Sequence, residues 1–360
     1  MPGAQDSGSS EDGILPYPLP AYRSTTRKAL MNIGIWPSAM FIILAWPASA
    51  QQELLKRSNP TLESITVSMK VTSEGLTLSR MAIAFPIPRN GIEQELTNLQ
   101  LNGAQVREST EGRCTYALLN LGPESCPKVG ESRTYSITYD VKLWDLSVDF
   151  TQITEILPYD RESELYRTYT RNDPPILDLE NKDLLAVSDD LWLRSRRSVL
   201  DYARAAYEHV ARTFRYQNPG TGWHSTEAVL KQGGGDCGQF SSLFITLLRM
   251  KGIPARHNVG VIPSNSPHAW SEFYLEKWGW IPVDVTLKNS DPGGDYFGQL
   301  RRRTHGVITH KDLGLTLLLG DNTVQIPSIQ SGGCWHWEET GKGTVQAKCK
   351  VTKRTWWRFW

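Results

Sequence analysis

Two patterns of apolar residues divide the chain. Between Leu62 and Phe150 apolar and polar positions alternate. The runs are Ser64-Ile65-Thr66-Val67-Ser68-Met69-Lys70-Val71, then Leu76-Thr77-Leu78-Ser79-Arg80-Met81 after a Glu74-Gly75 turn, and Tyr135-Ser136-Ile137-Thr138-Tyr139-Asp140-Val141. A period of two puts every second side chain on one face, as in a half-buried strand. Asn102-Gly103 between apolar runs reads as a two-residue hairpin turn. Strands with short turns and no long helix predict an antiparallel, β-sandwich-like N-terminal domain over residues 51–155.

Beyond that point the period becomes helical. Pro158 and Asp173-Pro174-Pro175 break any regular element in a connector over 155–185. Val199, Ala203, Ala206, Val210 and Phe214 predict a helix from about Leu191 to Phe214, capped by Ser188 or Asp189. Phe240, Leu243, Phe244, Leu247 and Leu248 form the apolar stripe of a second, buried helix. Gly252 stands where a left-handed C′ residue belongs, and Pro254 prevents continuation. Upstream, Gly233-Gly234-Gly235-Asp236 excludes a regular element. Cys237 therefore falls in the first turn, behind Asp236 as N-cap. Three short strands follow, Asn258–Ile262, His268–Leu275 and Trp280–Val285, with Lys277-Trp278-Gly279 turning between the last two. Asp291–Arg303 reads as loop. The tail, 301–360, reads as a short β-rich segment, with a hairpin around Gly341-Lys342-Gly343 carrying Cys334 and Cys349 on its two arms.

At 360 residues the chain is long for one small domain. A formal net charge of +1 gives no reason to expect a nucleic-acid partner. Residues 1–50 read as a disordered leader and signal peptide. Arg23, Arg27 and Lys28 precede an apolar stretch ending at Trp46, and Ala48-Ser49-Ala50 is a small-x-small cleavage site before Gln51. The late basic region admits a start codon downstream of Met1. An uncleaved leader would be a membrane anchor. However, Asn32, Pro37, Ser38 and Pro47 interrupt the roughly 20 apolar residues that a span requires. The expected location is periplasmic or secreted. Of 13 tryptophans, Trp335, Trp337, Trp356, Trp357 and Trp360 crowd the end of the chain, as packing or as a binding surface.

Thiols outside the cytoplasm tend to pair, and an odd one left over is a candidate reactive group. Of five cysteines, those close in sequence are Cys114 with Cys126 and Cys334 with Cys349; these are the expected disulfides, and Cys237 remains. With no Cys-x-x-Cys and no His-Glu-x-x-His, neither a metal site nor disulfide exchange has sequence support. At a helix N-terminus, unpaired N–H groups and the dipole favour a thiolate. The backbone N–H of Cys237 is a candidate oxyanion donor there. Among seven histidines, His268 lies in the second strand after the cysteine helix. Trp270, Glu272 and Tyr274 share its face, as Trp280, Pro282 and Asp284 share one on the next strand. A turn of odd length, Glu276-Lys277-Trp278 with Gly279 left-handed, pairs Trp270 with Asp284. His268 then becomes the diagonal neighbour of Asp284; an even turn would separate them. Asp284 would fix the imidazole's tautomer. His209 and His305 are expected to matter little.

These residues resemble the motifs of the transglutaminase-like superfamily. They are Gly234-Gly235-Asp236-Cys237, Gly252-Ile253-Pro254-Ala255-Arg256, His268-Ala269-Trp270-Ser271-Glu272 and Gly279-Trp280-Ile281-Pro282-Val283-Asp284. The resemblance covers about residues 190–300. It implies an α+β fold with a papain-like core inside a catalytic domain over 156–300, with Cys237 as nucleophile, His268 as base and acid, and Asp284 as orienter. The strand domain and short tail resemble those of secreted bacterial members. The calcium sites of animal cross-linking enzymes have no counterpart here. The oxyanion-binding tryptophan of those enzymes is not carried over to Trp223. The implied function is cleavage or transfer of acyl groups from peptide or glutamine amides. Hydrolysis is favoured, since water is always present and no amine-binding site is legible. The partner is then a peptide or protein substrate, no cofactor is called for, and a monomer is expected. A secreted peptide- or glycan-binding scaffold with a vestigial triad is the alternative, and the intact triad argues against it.

Overall fold

The computed structural model describes residues 54–217, 222–261, 267–329 and 334–356. The leader, its cleavage point before Gln51, and Trp357 and Trp360 lie outside them. The strands β1 (Leu55–Ile87), β2 (Gln94–Gln100), β3 (Gln105–Glu108), β4 (Thr115–Leu121) and β5 (Ser132–Val148) come first. Next are α1 (Glu164–Tyr169), α2 (Lys182–Arg194), α3 (Val199–Thr213), β6 (Arg215–Tyr216), α4 (Thr226–Gln232), β7 (Gly234–Gly235) and α5 (Cys237–Met250). β8 (Ala255–Val261), β9 (Pro267–Leu275) and β10 (Gly279–Val283) lead to α6 (Val285–Ser290), β11 (Gln299–Leu300), α7 (Arg302–His305) and β12 (Val307–Lys311). The chain closes with β13 (Leu315–Leu319), β14 (Asn322–Ile326) and β15 (Cys334–Trp356).

The β-rich half is one curled antiparallel sheet ordered β11-β5-β1-β4-β3, with β15 also on β1 and β2 also on β5. The alternation seen in sequence is its inner face, where Ile65, Val67, Met69, Val71, Ile137, Tyr139 and Val141 are buried together. The β13–β14 hairpin covers Ala82, Ala84 and Tyr116 with Leu315, Leu317 and Leu319.

Neither expected turn at its two glycine sites reverses the chain. β1 runs through Glu74-Gly75 without turning back, and β15 runs through Gly341-Lys342-Gly343. The two sites face each other across the β1–β15 ladder, at a register shift between Glu74 and Leu76. Gly75 and Gly341 have positive φ, and a Cβ on Gly343 would lie 1.9 Å from the Glu74 carbonyl oxygen. The glycines make a shared bulge that lets two long strands bend together. Asn102 and Gly103 do turn with positive φ, but β2 pairs with β5 and β3 with β4, so no hairpin forms there.

The expected disulfides fare no better. Cys114 and Cys126 are free, buried thiols in different apolar clusters. The length of β4 lies between them, about 20 Å of extended chain, against the roughly 4.4–6.8 Å between Cα atoms that a disulfide requires. Cys334 and Cys349 stand opposite Ala84 and Met69 on β1, so they occupy opposite halves of one strand rather than two arms of a hairpin.

In the helical half the predicted Leu191–Phe214 helix is two helices. The chain breaks at Arg196 and Arg197, both with positive φ, and α3 restarts behind Ser198, whose hydroxyl accepts from Asp201 N–H. α5 is buried along nearly its whole length, against β9, β8, α3 and α2. Phe240, Leu243, Phe244, Leu247 and Leu248 join Ala203, Ala206, Tyr207 and Val210 of α3 in the main core. Burial of each large side chain contributes roughly 1.5–3 kcal/mol. Beneath α5 is an antiparallel sheet ordered β10-β9-β8-β12, so the tail contributes a strand to each sheet. No helix among the described residues is long and apolar enough to cross a membrane.

The shared bulge predicts a specific weakness. Gly343→Ala should lower unfolding free energy by about 2 kcal/mol or more, because the new methyl meets backbone. Gly122→Ala, with open space around it, should stay within about 0.5 kcal/mol in the same urea titration.

Candidate active site

The cysteine side of the site is built by a cap. Asp236 Oδ1 accepts from Gly238 N–H at 2.8 Å and from Gln239 N–H at 3.4 Å, while Gln239 Oε1 accepts from Asp236 N–H at 2.9 Å. This is a reciprocal capping box at the start of α5. Burial pushes the Asp236 carboxyl up, and the two backbone N–H groups pull the other way. The N–H of Cys237 is not among those the cap takes up, which leaves it as a backbone donor beside its own sulfur. Gly234 is fixed by the short parallel pairing of β6 and β7, where a Cβ would come 1.9 Å from Arg215 O. Gly238 lies under Trp223, whose ring a Cβ would meet at 2.8 Å. Trp223 Nε1–H is spent on Ser328 Oγ at 2.9 Å, so here this indole closes the site as a wall.

The histidine side follows the hairpin. Gly279 pairs with Leu275 and Val283 with Ser271, around a three-residue turn; Lys277 within it and Gly279 just after it have positive φ. Continuing the ladder one step places Asp284 opposite Trp270, with His268 diagonal. His268 Nε2 lies 2.7 Å from Asp284 Oδ2, and both residues are buried. Asp284 Oδ1 also accepts from Leu287 N–H at 2.9 Å, capping α6. Burial alone would make His268 harder to protonate. The Asp284 charge and hydrogen bond outweigh it, with further help from the Cys237 thiol, and lift the imidazole to about 10. Burial would raise Asp284, but His268 and then His305 hold it well below the usual carboxylate range. With Nε2 engaged by Asp284, Nδ1 is the ring atom left for the Cys237 side.

Sequence reasoning set His305 aside as part of a tail. The structure brings its ring to Asp284, with Nε2 3.1 Å from the same Oδ2. The signal is non-local: α7 reaches the site because β11 pairs with β5 and β12 with β8. Trp270 fills the angle between the two histidines, stacked on His268 at 5.6 Å and edge-on to His305 at 5.2 Å. His209 remains on α3, ring to ring with Phe214. Among the described residues no group of three or more His, Cys, Asp or Glu is arranged to hold a metal ion. A cavity of about 670 Å³ between α1, β12 and the residues before β2 is lined by Arg113, Tyr169, Arg256 and Lys311. Cys237, His268 and Asp284 do not line it.

A cysteine at a capped helix start, facing a histidine held by a carboxylate, sits in a stretch with an independent signature. Residues 191–285 match the sequence profile of the Transglutaminase-like superfamily. The chain carries a transglutaminase-like core. The solved structure of a candidate cysteine protease from Cytophaga hutchinsonii is similar at 15% identity with a TM-score of 0.52. The likeness covers 85% of this chain and 96% of that one. The shared fold thus extends well beyond the transglutaminase-like core to much of the β-rich half. The periplasmic domain of TgpA from Pseudomonas aeruginosa, bound to ethylmercury, gives 18% identity and a TM-score of 0.33 over 63% of this chain and 91% of that one. Comparison with curated proteins finds no match.

The His268–Asp284 pair predicts a pH signature of stability. His268 binds its proton more tightly folded than unfolded, so its contribution is full below its ordinary value of 6.5 and is lost as pH rises through about 10. Asp284 works in the opposite sense: its contribution is present above its ordinary 3.8 and lost as pH falls below it. Urea titrations of wild type and His268→Ala should therefore differ most between those two ordinary values. The gap should narrow toward pH 10, and a gap that widened there would contradict the pairing.

Proposed function

We propose that this chain is a thiol acyl-transfer enzyme that hydrolyses amide bonds of peptides or of glutamine side chains, with Cys237, His268 and Asp284 as its triad. The observation that carries the reading is the 2.7 Å contact between His268 Nε2 and Asp284 Oδ2, which turns the other ring nitrogen toward a cysteine at a helix N-terminus. Cys237 Sγ attacks the amide carbonyl carbon, and the tetrahedral oxyanion is met by the Cys237 N–H. His268 takes the thiol proton and delivers it to the departing amine as the C–N bond breaks. Water, deprotonated by His268, then attacks the thioester, releasing the acid and restoring the thiol. Asp284 keeps the imidazole in one orientation and balances its charge. Water as acceptor fits a site in which no amine-binding side chain stands out among the described residues.

The catalytic domain in this reading is 156–300, and the leader over residues 1–50 takes the protein to the periplasm or outside the cell. The free thiols Cys114 and Cys126 are compatible with an oxidising compartment because each is buried in a separate cluster.

Incubation with casein and a labelled amine separates the outcomes: new peptides, ammonia, or incorporated label. Peptides or ammonia without label are expected. Cys237→Ala should abolish turnover with the fold retained, and Cys237→Ser should be nearly as inactive. His268→Ala should lose about 10²–10⁴-fold. Asp284→Asn should lose less than His268→Ala, and since Asn caps a helix as well as Asp, it isolates the lost charge. A folded His268→Ala with near wild-type turnover would overturn the assignment.

A further inference from the structure

Asp284 is held from two directions by one segment. Its backbone N–H donates to Tyr296 O at 3.0 Å, and Phe297 bridges to Val283. Gly298 then donates to Pro282 O and accepts from Val148 N–H, linking β10 to β5 of the curled sheet. Gln299 and Leu300 pair with Ser147 and Leu146, and α7 immediately delivers His305 to the Asp284 carboxylate. Residues 296–305 thus form a strap that is hydrogen-bonded to the N-terminal sheet along its middle and meets Asp284 at both ends.

The state of the His305 ring follows from its other nitrogen. Arg301 N–H can only donate, and His305 Nδ1, at 3.0 Å, is its acceptor. Thr304 Oγ1 lies 3.0 Å and the Arg301 carbonyl 3.2 Å from the same nitrogen, but that carbonyl already accepts from the Thr304 and His305 backbone N–H groups. This favours Nδ1 as an acceptor, with the ring proton on Nε2. The residue is 2% exposed. Its ring N–H points off the straight line to Asp284 Oδ2 and meets no better acceptor among the described residues, although the two atoms are only 3.1 Å apart. A buried N–H with no other partner is costly unless the nearby carboxylate shares it. Oδ2 therefore stands between two imidazole N–H groups, one from His268 and one from His305.

We propose that His305 is a positioning residue of the triad: its Nε2–H holds Asp284 ionised and oriented toward His268, and the strap makes the N-terminal sheet part of the active-site scaffold. This rests on the triad reading given above. Among the described residues, the charged and titratable groups facing this arrangement are Cys237 and Asp236 from α5 and its cap, His268 from β9, and Tyr296 from the strap itself. Of these, His268 alone joins His305 in bringing a ring nitrogen to the Asp284 carboxylate.

The test uses iodoacetamide on the intact protein, since alkylation of Cys237 reads the state of His268 without a known substrate. H305F fills the space but donates nothing; H305Q restores a donor. Loss of a hydrogen bond to a charged group should slow alkylation in H305F about tenfold at neutral pH. It should also move the acid limb of the rate profile up by about one pH unit. H305Q should remain within about threefold of wild type. Equal rates for H305F and H305Q, or a wild-type profile in H305F, would overturn the role of the His305 donor. Should H305F fail to fold, the smaller non-donor H305M replaces it. The imidazole 15N spectrum of the wild type must also show the His305 proton on Nε2 at neutral pH; a proton on Nδ1 overturns the proposal. H268A is the control that tells the two ideas apart. If it alkylates as fast as wild type, the triad reading itself has failed. If it is slow while H305F is not, only the positioning role has.

Discussion

A helix buried on nearly every face has no solvent to satisfy its polar side chains, and α5 is such a helix. Its polar residues all need partners inside the protein, and they find them. Ser241 and Ser242 hydroxyls donate to carbonyls one turn back, at Cys237 and Gly238, as Thr246 does to Ser242. Arg249 cannot be satisfied so locally. It donates to Ala255 O and Arg171 O and lies 3.4 Å from the buried Asp312 carboxylate. Burial pushes the Arg249 guanidinium down to about 10, against the pull of Asp312, so it stays charged at neutral pH. Asp312 in turn gathers Arg171 from the connector and Arg113 from the loop that enters β4 of the curled sheet, at 3.2 and 3.5 Å. One buried cation on the cysteine helix thus ties together the connector, the N-terminal sheet and the tail. A buried ion pair of this kind adds little net stability against an apolar alternative, but breaking one member leaves an uncompensated charge.

The same logic operates at the other end of α5, on a smaller scale. Asp236 spends its carboxylate on the helix cap, so it is no rival to Asp284 for His268. Asp284 divides its two oxygens: Oδ1 caps α6, and Oδ2 faces the histidines. Because α6 begins at the end of β10, capping α6 and facing His268 are the same constraint on Asp284. The carboxylate cannot rotate toward His268 or away from it without losing the Leu287 N–H. A fixed acceptor is what an imidazole needs if it is to hold one tautomer through proton transfer.

What could be read from the sequence was whatever local patterning fixes. The stripe from Phe240 to Leu248 and the glycines before Cys237 define α5 and its start, because helix periodicity and capping act within a turn or two. The hairpin register was legible because period two leaves only odd turns able to put His268 and Asp284 on one face. Long-range pairing was not legible. Gly341 and Gly343 carry the local signature of a turn, and only the facing Gly75 on another strand makes them a bulge. The break between α2 and α3 falls at Arg196 and Arg197, two residues that rarely adopt positive φ, so no glycine announces it. Cys114 and Cys126 are close in sequence, but an extended strand is the arrangement that keeps such neighbours apart.

His305 shows what this non-local part contributes. The matched core ends at residue 285, yet the carboxylate at its edge is gripped by residues 296–305, which owe their position to β5. Past His305 the chain enters β12, whose Ile308 exchanges two 2.8 Å hydrogen bonds with the side chain of Gln94 just as if it were a strand. Leu55, Leu146, Trp270, Leu300 and Ile308 bury one another along this seam, two from the curled sheet, two from the strap and tail, and one from the strand that bears His268. Trp270 thus touches both the seam and the site. The inner wall behind the His268–Asp284 pair is therefore a joint between the two sheets. The geometry of that pair is set there as much as by the hairpin that carries it.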